Sequence, residues 1–116
     1  MIKNGVYASF CTKTGLKTFK TKEQAEHSYE AQKIAAEHGL APPVIRMVDE
    51  CSYLSEIADT SYFDRKYPNK AKYLYGEYKE LYLKVREVLP GRITYDIHSR
   101  NLGYYKGKVV LLDFYP

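Results

Sequence analysis

Apolar and polar positions along the chain change period several times, and each change marks a predicted element. Residues 5–12 alternate weakly and residues 16–19 form a second short apolar run, so we predict a β-hairpin around the Lys-Thr-Gly turn between them. Strands at 44–48 and 51–58 predict another hairpin, because a stiff Pro-Pro pair precedes them and an Asp-Glu turn separates them. We therefore expect antiparallel sheet in the first half of the chain.

Between these hairpins the sequence has the start and stop signals of a helix. Thr21 is followed three residues later by Gln24, which is a capping-box pattern, and Gly39 is a natural helix stop. We predict a helix over 22–37. Its thin inner stripe contains Ala25, Tyr29, Gln32 and Ala36.

A second helix is predicted after a polar connector at 60–70. Apolar residues recur at steps of three and four over 71–89, which is helix periodicity, and the Pro-Gly pair at 90–91 ends the pattern. The apolar stripe contains Leu74, Tyr78, Leu81, Val85 and Val88.

Composition places the chain in the soluble globular class. It has 116 residues, of which 45% are hydrophobic and 28% charged, and this is enough for one domain with a core. No apolar run matches a membrane helix and the start lacks a secretion signal, so we expect a cytoplasmic protein with no membrane contact. The formal charge of +4 is modest and the basic residues are scattered, so nucleic-acid binding is not supported. Cys11 and Cys51 have no metal-ligand spacing, and we expect reduced thiols, with a disulfide between them as the alternative.

The C-terminal segment contains the most distinctive polar residues. Runs at 102–105 and 109–112 flank a Lys-Gly-Lys turn and predict a third hairpin. Asn101 enters its first strand and Asp113 leaves its second, so antiparallel pairing brings both side chains to the open end. Asp96 lies in the loop just before them. Since Mg²⁺ prefers oxygen ligands, Asn101 and Asp113 are candidate metal ligands, and Asp96 is a candidate for orienting or deprotonating a hydroxyl group.

The spacing Asp96-x-x-x-x-Asn101, followed one hairpin later by Asp113-Phe114, resembles the catalytic loop and metal-binding motif of the protein-kinase-like family. His98 lies two residues after Asp96, and the aminoglycoside and choline kinase branch of the family often carries a histidine at that position. The order of predicted elements is also similar to that family over almost the whole chain. The resemblance implies ATP and Mg²⁺ as cofactors, with Asn101 and Asp113 on the metal and Asp96 acting on an acceptor hydroxyl.

The resemblance also implies roles for residues in the first half of the chain. Lys17 would bind the nucleotide phosphates, with Lys20 as the competing candidate and an exposed strand lysine as the ordinary explanation of either. Glu30 would hold Lys17 in an ion pair, and a solvated helix face is its ordinary explanation. The backbone from Glu56 to Ala58 would bind adenine as a hinge. The implied fold class is α+β, with a kinase-like nucleotide lobe, a long helix, a catalytic-type loop and a C-terminal β-hairpin.

Several departures from the family shape the expected function. Thr94 and Tyr95 replace the usual His and Arg, Tyr115 replaces a Gly, no G-x-G-x-x-G lid is present, and the chain stops at residue 116. We therefore expect one minimal or C-terminally truncated kinase-like domain, with 1–59 resembling the nucleotide lobe and 60–116 a remnant of the second lobe. The first hypothesis is an ATP-dependent phosphotransferase. The alternative is an inactive, pseudokinase-like module whose thirteen tyrosines engage another protein or a second copy.

Overall fold

The structure is a computed structural model, and it describes residues 2–4, 8–61, 77–89, 102–112 and 114. Within this part of the chain the fold is α+β, with two helices and two antiparallel sheets. The expected α+β class is confirmed. The division into 1–59 and 60–116 stays a prediction.

The larger sheet has five strands in the order β1-β2-β3-β5-β4, and every neighbouring pair is antiparallel. The strands are β1 (Ile2–Asn4), β2 (Ala8–Cys11), β3 (Leu16–Phe19), β4 (Val44–Asp49) and β5 (Ser52–Ser55). Both hairpins predicted in the first half are confirmed, because β2 pairs with β3 and β4 pairs with β5. β1 was not predicted from the sequence.

The turn between β2 and β3 depends on Gly15. Its φ of +80° lies in the left-handed region, which glycine adopts without steric cost. The Gly15 amide donates to the Cys11 carbonyl at 2.9 Å, and the Gly15 carbonyl accepts from the Ser55 amide at 2.9 Å. This turn therefore also fixes the end of β5 against the start of β3.

Helix α1 (Lys22–Glu37) has the predicted boundaries. The Thr21 hydroxyl accepts from the Gln24 amide at 3.1 Å, which caps the first turn. At the other end Gly39 has a φ of +74°, and its amide donates to the Ala36 carbonyl at 3.0 Å. The buried face consists of small or polar residues, namely Ala25, Ser28, Ala31, Gln32 and Ala35. Such side chains allow the helix to lie close to the sheet.

Helix α2 (Glu77–Val88) and the hairpin of β6 (Leu102–Tyr105) and β7 (Lys108–Leu111) complete the described fold. The hairpin turn has positive φ at Lys106 and Gly107, as a two-residue turn of type I′ requires. The predicted third hairpin is confirmed, and so is the helix within 77–88. Residues 71–76 of the predicted helix lie outside the described part.

The main hydrophobic core joins α1, α2 and the C-terminal hairpin. Two of its members, Leu102 and Leu111, are fully buried, and the Leu111 amide donates to the Leu40 carbonyl at 2.9 Å. The hairpin is therefore part of the core of the domain. Buried members of the cluster are Ala31, Ala35, Leu40, Ala41, Leu81, Val85, Leu89, Leu102, Leu111 and Phe114.

Candidate functional site

Lys17 is a buried lysine at the centre of the larger sheet. Its β3 position alternates with half-buried neighbours, and only 4% of its surface is accessible. The ammonium group donates to Gln32 Oε1 at 2.8 Å and to the Leu112 carbonyl. It also lies 5.6 Å from the centre of the Phe10 ring and 5.7 Å from that of Tyr53. Lys17 thus connects the sheet, α1 and the segment that follows β7.

Gln32 is the α1 residue that contacts Lys17. Its Oε1 accepts from the Lys17 ammonium and from the Tyr53 hydroxyl, both at 2.8 Å. Its Nε2 donates to the Pro42 carbonyl at 2.8 Å and to Ser55 Oγ at 2.7 Å. A carboxamide has two acceptor lone pairs and two N–H donors, so Gln32 uses its full hydrogen-bonding capacity. A glutamate at this position would lack both donors.

The polar contacts extend beyond Gln32 into a cluster that we call the Gln32 network, which consists of Lys17, Ser28, Gln32, Tyr53 and Ser55. The hydroxyls of Ser28 and Tyr53 lie 2.8 Å apart, and all five side chains are at most 4% exposed. Buried polar groups that hydrogen-bond to one another favour a single arrangement. If one contact breaks, the group that loses its partner cannot form a hydrogen bond with water instead. The network therefore fixes the direction of the Lys17 side chain.

The two other charged candidates of the first half have exposed side chains. Glu30 lies on the solvent side of α1, and Lys20 is exposed just after β3. Of the two candidate lysines, Lys17 is therefore the buried one. The ion pair expected between Lys17 and Glu30 is replaced in this structure by the hydrogen bond between Lys17 and Gln32.

The predicted hinge lies directly after β5. The Glu56 amide donates to the Pro43 carbonyl at 2.9 Å, and the Glu56 carboxylate accepts from the Tyr105 hydroxyl at 2.7 Å. Ala58 is buried at 5% exposure. Among the described residues, no hydrogen bond uses the backbone of Ile57 or Ala58.

A backbone bridge ties the hinge segment to the C-terminal hairpin. The Asp59 amide donates to the Tyr104 carbonyl at 2.8 Å, and the Tyr104 amide donates back to the Asp59 carbonyl at 3.0 Å. Gly103 makes this approach possible, because a Cβ there would lie 3.1 Å from the Asp59 carbonyl oxygen and 3.3 Å from the Ala58 Cβ. The hinge segment and the hairpin are thus in direct backbone contact, and Lys17 contacts Leu112, the residue that follows the hairpin.

Three predicted site residues, Asp96, Asn101 and Asp113, lie outside the described residues, and their roles stay predictions. The described neighbours of Asp113 are both buried, since Leu112 is 6% exposed and Phe114 is 1% exposed. Within the described ranges, no group of three or more His, Cys, Asp or Glu side chains forms a metal site.

Two side chains, Cys11 at the end of β2 and Tyr105 at the end of β6, have perturbed acidity. A hydrogen bond from the Thr14 hydroxyl is the main cause that lowers the pKa of Cys11 to about 7. The hydrogen bond with the Glu56 carboxylate raises the pKa of Tyr105 above its ordinary value. Cys11 and Cys51 are both free thiols.

Sequence reasoning did not assign a role to Gln32 or to Tyr53. A signal for Gln32 was present, because it falls on the predicted inner stripe of α1 where a polar residue needs buried partners. Tyr53 and Ser55 alternate on β5 toward the same face, but their pairing with α1 depends on the sheet order.

No family model, no curated protein and no solved structure matches this chain. Within the described ranges, no helix is long and apolar enough to cross a lipid bilayer. The kinase-like resemblance therefore stays a prediction.

Proposed function

We propose that this chain binds ATP with Mg²⁺ in a kinase-like manner and transfers the terminal phosphoryl group to a hydroxyl acceptor. In this proposal Lys17 binds the phosphates, Asn101 and Asp113 hold the metal, and Asp96 orients or deprotonates the acceptor hydroxyl. Glu30 has no role in the proposal, because its side chain is exposed.

The observation that carries the proposal is the contact between the Lys17 ammonium and the Leu112 carbonyl, which are 95 residues apart in sequence. Leu112 is the residue directly before Asp113. A lysine from the third strand and the backbone next to a candidate metal-binding aspartate thus meet in one place. A lysine with no specific role would more often be exposed to solvent, as Lys20 is.

The hinge supports the binding of a nucleotide base. Backbone N–H and C=O groups need partners when they are shielded from water. Ala58 is buried, and no residue in the described part of the chain forms a hydrogen bond with its backbone groups. A purine edge with one donor and one acceptor would satisfy them.

The donor chemistry of the candidate metal ligands fits Mg²⁺. A carboxylate from Asp113 and an amide oxygen from Asn101 are hard oxygen ligands that leave the remaining positions to water and phosphate oxygens. When bound, Mg²⁺ would neutralise charge on the phosphates. The sequence has no G-x-G-x-x-G lid, so fewer backbone amides contact the phosphates and we expect weaker affinity than in kinases that have one.

Isothermal titration calorimetry with ATP tests the proposal directly. We expect the wild type to release heat with ATP and Mg²⁺, and to bind more weakly when EDTA removes the metal. Asp113→Asn should lose the metal dependence, because the amide carries no charge for the cation. Glu30→Gln is the matched control, since it removes a carboxylate from an exposed position, and it should bind like the wild type. Binding that needs no metal and is unchanged in Asp113→Asn would contradict the enzyme hypothesis.

A protein-binding module is the second candidate, and the burial of Lys17 favours it. The ammonium is already hydrogen-bonded within the protein and only 4% of the residue is accessible, so phosphate reaches it only after local rearrangement. In addition, four large apolar side chains are 44–54% exposed, namely Ile45, Val48, Ile57 and Leu83. Absence of any heat with ATP, together with a dimer or a captured partner in solution, would select this module.

A further inference from the structure

Strand β4 lies at one edge of the larger sheet, and its side chains follow an unusual period. Its register against β5 shifts twice, and the residues passed over at the two shifts are Ile45 and Val48. A β-bulge of this kind turns the extra residue out of the regular alternation of a strand. The exposure along β4 therefore repeats every third residue, as half-buried, exposed and exposed.

The half-buried residues of this repeat form the inner row of β4. They are Val44 and Met47, and they pack against the buried cluster of Phe19, Ala25 and Tyr53. This row fixes β4 against the rest of the sheet and leaves the other two rows of side chains to the outside.

The other two rows carry apolar groups and charges side by side. Ile45 and Val48 form the edge row and are 54% and 45% exposed. Arg46 and Asp49 are also exposed, and they pair with the β5 residues on either side of Tyr53. In each row the two residues are three positions apart, about 10 Å along a strand. The edge of β4 thus presents two apolar side chains beside one positive and one negative charge.

We propose that this edge of β4 is the surface through which two copies of the chain associate, related by a two-fold axis near Met47. Such an axis reverses the strand direction, so the same patch meets itself. Ile45 of one copy then lies beside Val48 of the second copy, and Arg46 lies beside Asp49 of the second copy. Each contact occurs twice. This association is independent of nucleotide binding.

The charges select a second copy as the occupant of this edge. Within the described part of the chain, Arg46 forms no ion pair. Asp49 Oδ1 accepts from the Cys51 amide at 2.8 Å, which orients the carboxylate. A carboxylate accepts several hydrogen bonds, so Asp49 can also accept from an arginine. A patch with one charge of each sign about a two-fold axis is complementary to itself, whereas a partner surface of uniform charge would be repelled by one of the two.

The two bulges also determine the kind of contact. They interrupt the regular row of backbone hydrogen-bonding groups, which is a common way to protect an edge strand against further sheet extension. The association therefore uses side chains and closes at two copies. The other large apolar side chains with high exposure, Ile57 and Leu83, are single residues on other elements, and Leu83 serves as a control.

Sedimentation equilibrium without nucleotide tests the inference. We expect the wild type to shift from monomer mass to dimer mass as its concentration rises, and the dimer to weaken in high salt, because salt screens the pairs of Arg46 with Asp49. Ile45→Ser should weaken the dimer by at least about tenfold, since the two-fold axis makes each lost apolar contact count twice. Leu83→Ser is the matched control and should associate like the wild type.

An exchange of charges tests the symmetry. Arg46→Asp and Asp49→Arg each place like charges across the axis, so each variant alone should be monomeric. An equal mixture of the two restores both pairs of opposite charges and should form a heterodimer. Circular dichroism shows whether each variant is folded; if the loss of the hydrogen bond to Cys51 unfolds Asp49→Arg, Ile45→Ser and its control decide.

Three results would overturn the inference. The first is a wild type that stays monomeric at every concentration, which would leave this edge to a partner other than a second copy. The second is a dimer that Ile45→Ser and Leu83→Ser weaken equally. The third is a mixture of the two folded charge variants that remains monomeric while the wild type forms a dimer.

Discussion

The contact between Gly15 and β5 gives a sharp test of how the first sheet is held together. Alanine at position 15 would need a φ near +80°, in the left-handed region, at a cost of about 1–2 kcal/mol. Its Cβ would also lie closer than 3.0 Å to the Ser55 carbonyl oxygen, which is backbone and cannot rotate away. The β2–β3 turn and the end of β5 would have to move apart, and the 2.9 Å hydrogen bond from the Ser55 amide to the Gly15 carbonyl would weaken.

Adding these effects, we expect Gly15→Ala to lower the free energy of unfolding by about 3 kcal/mol. Backbone strain contributes about 1–2 kcal/mol and the weakened hydrogen bond about 1 kcal/mol, and repulsion between the new Cβ and the Ser55 carbonyl oxygen supplies the rest. Gly107→Ala is the matched control. Gly107 has a similar φ of +86°, but a Cβ there meets no atom within 4 Å. Its variant should lose only the strain, about 1–2 kcal/mol.

Urea unfolding followed by circular dichroism measures both losses, since the midpoint and slope give the free energy of unfolding. The difference between the two variants is the decisive quantity, because the strain cancels. Equal losses in Gly15→Ala and Gly107→Ala would refute the close contact between the β2–β3 turn and the end of β5.

Two further predictions concern acidity. With a pKa of about 7, Cys11 should react with iodoacetamide at neutral pH faster than Cys51. Thr14→Val should slow the reaction of Cys11, because the hydrogen bond with the Thr14 hydroxyl is the main cause of the lowered pKa. Equal rates in the variant and the wild type would exclude that cause. The raised pKa of Tyr105 stabilises the folded protein below the ordinary value of 10.0, and this contribution is lost as the pH rises through the folded-state pKa. NMR titration of the Tyr105 ring resonances should therefore show a lower pKa in Glu56→Gln than in the wild type, and an unchanged titration curve would contradict the Tyr105–Glu56 hydrogen bond.

The elements with strong local signals could be predicted from the sequence. Thr21 and Gly39 mark the ends of α1 correctly, because capping and the left-handed stop are properties of a few neighbouring residues. The turn at Lys106 and Gly107 is equally local. β1 (Ile2–Asn4) is different, because three residues without clear alternation become a strand only by pairing with β2.

The candidate site depended on contacts that are distant in sequence, and these could be predicted only in part. Lys17 was a candidate, but an exposed or a buried position follows from the sheet order rather than from β3 alone. Gln32 was placed on the inner stripe of α1, yet its partners Tyr53 and Ser55 lie on β5, more than 20 residues away. Local patterns predict which face is buried. They do not predict which polar groups meet there.

The central claim is that Lys17 binds nucleotide phosphates, and titration of ATP with Mg²⁺ into a pair of lysine variants tests it most directly. Lys17→Met removes one positive charge from β3, and Lys20→Met removes one from the residue directly after β3. Circular dichroism shows whether each variant remains folded. We predict that Lys17→Met weakens ATP binding by at least about tenfold, in line with the loss of a hydrogen bond to a charged group, and that Lys20→Met binds like the wild type. Equal dissociation constants for the two folded variants would contradict the account.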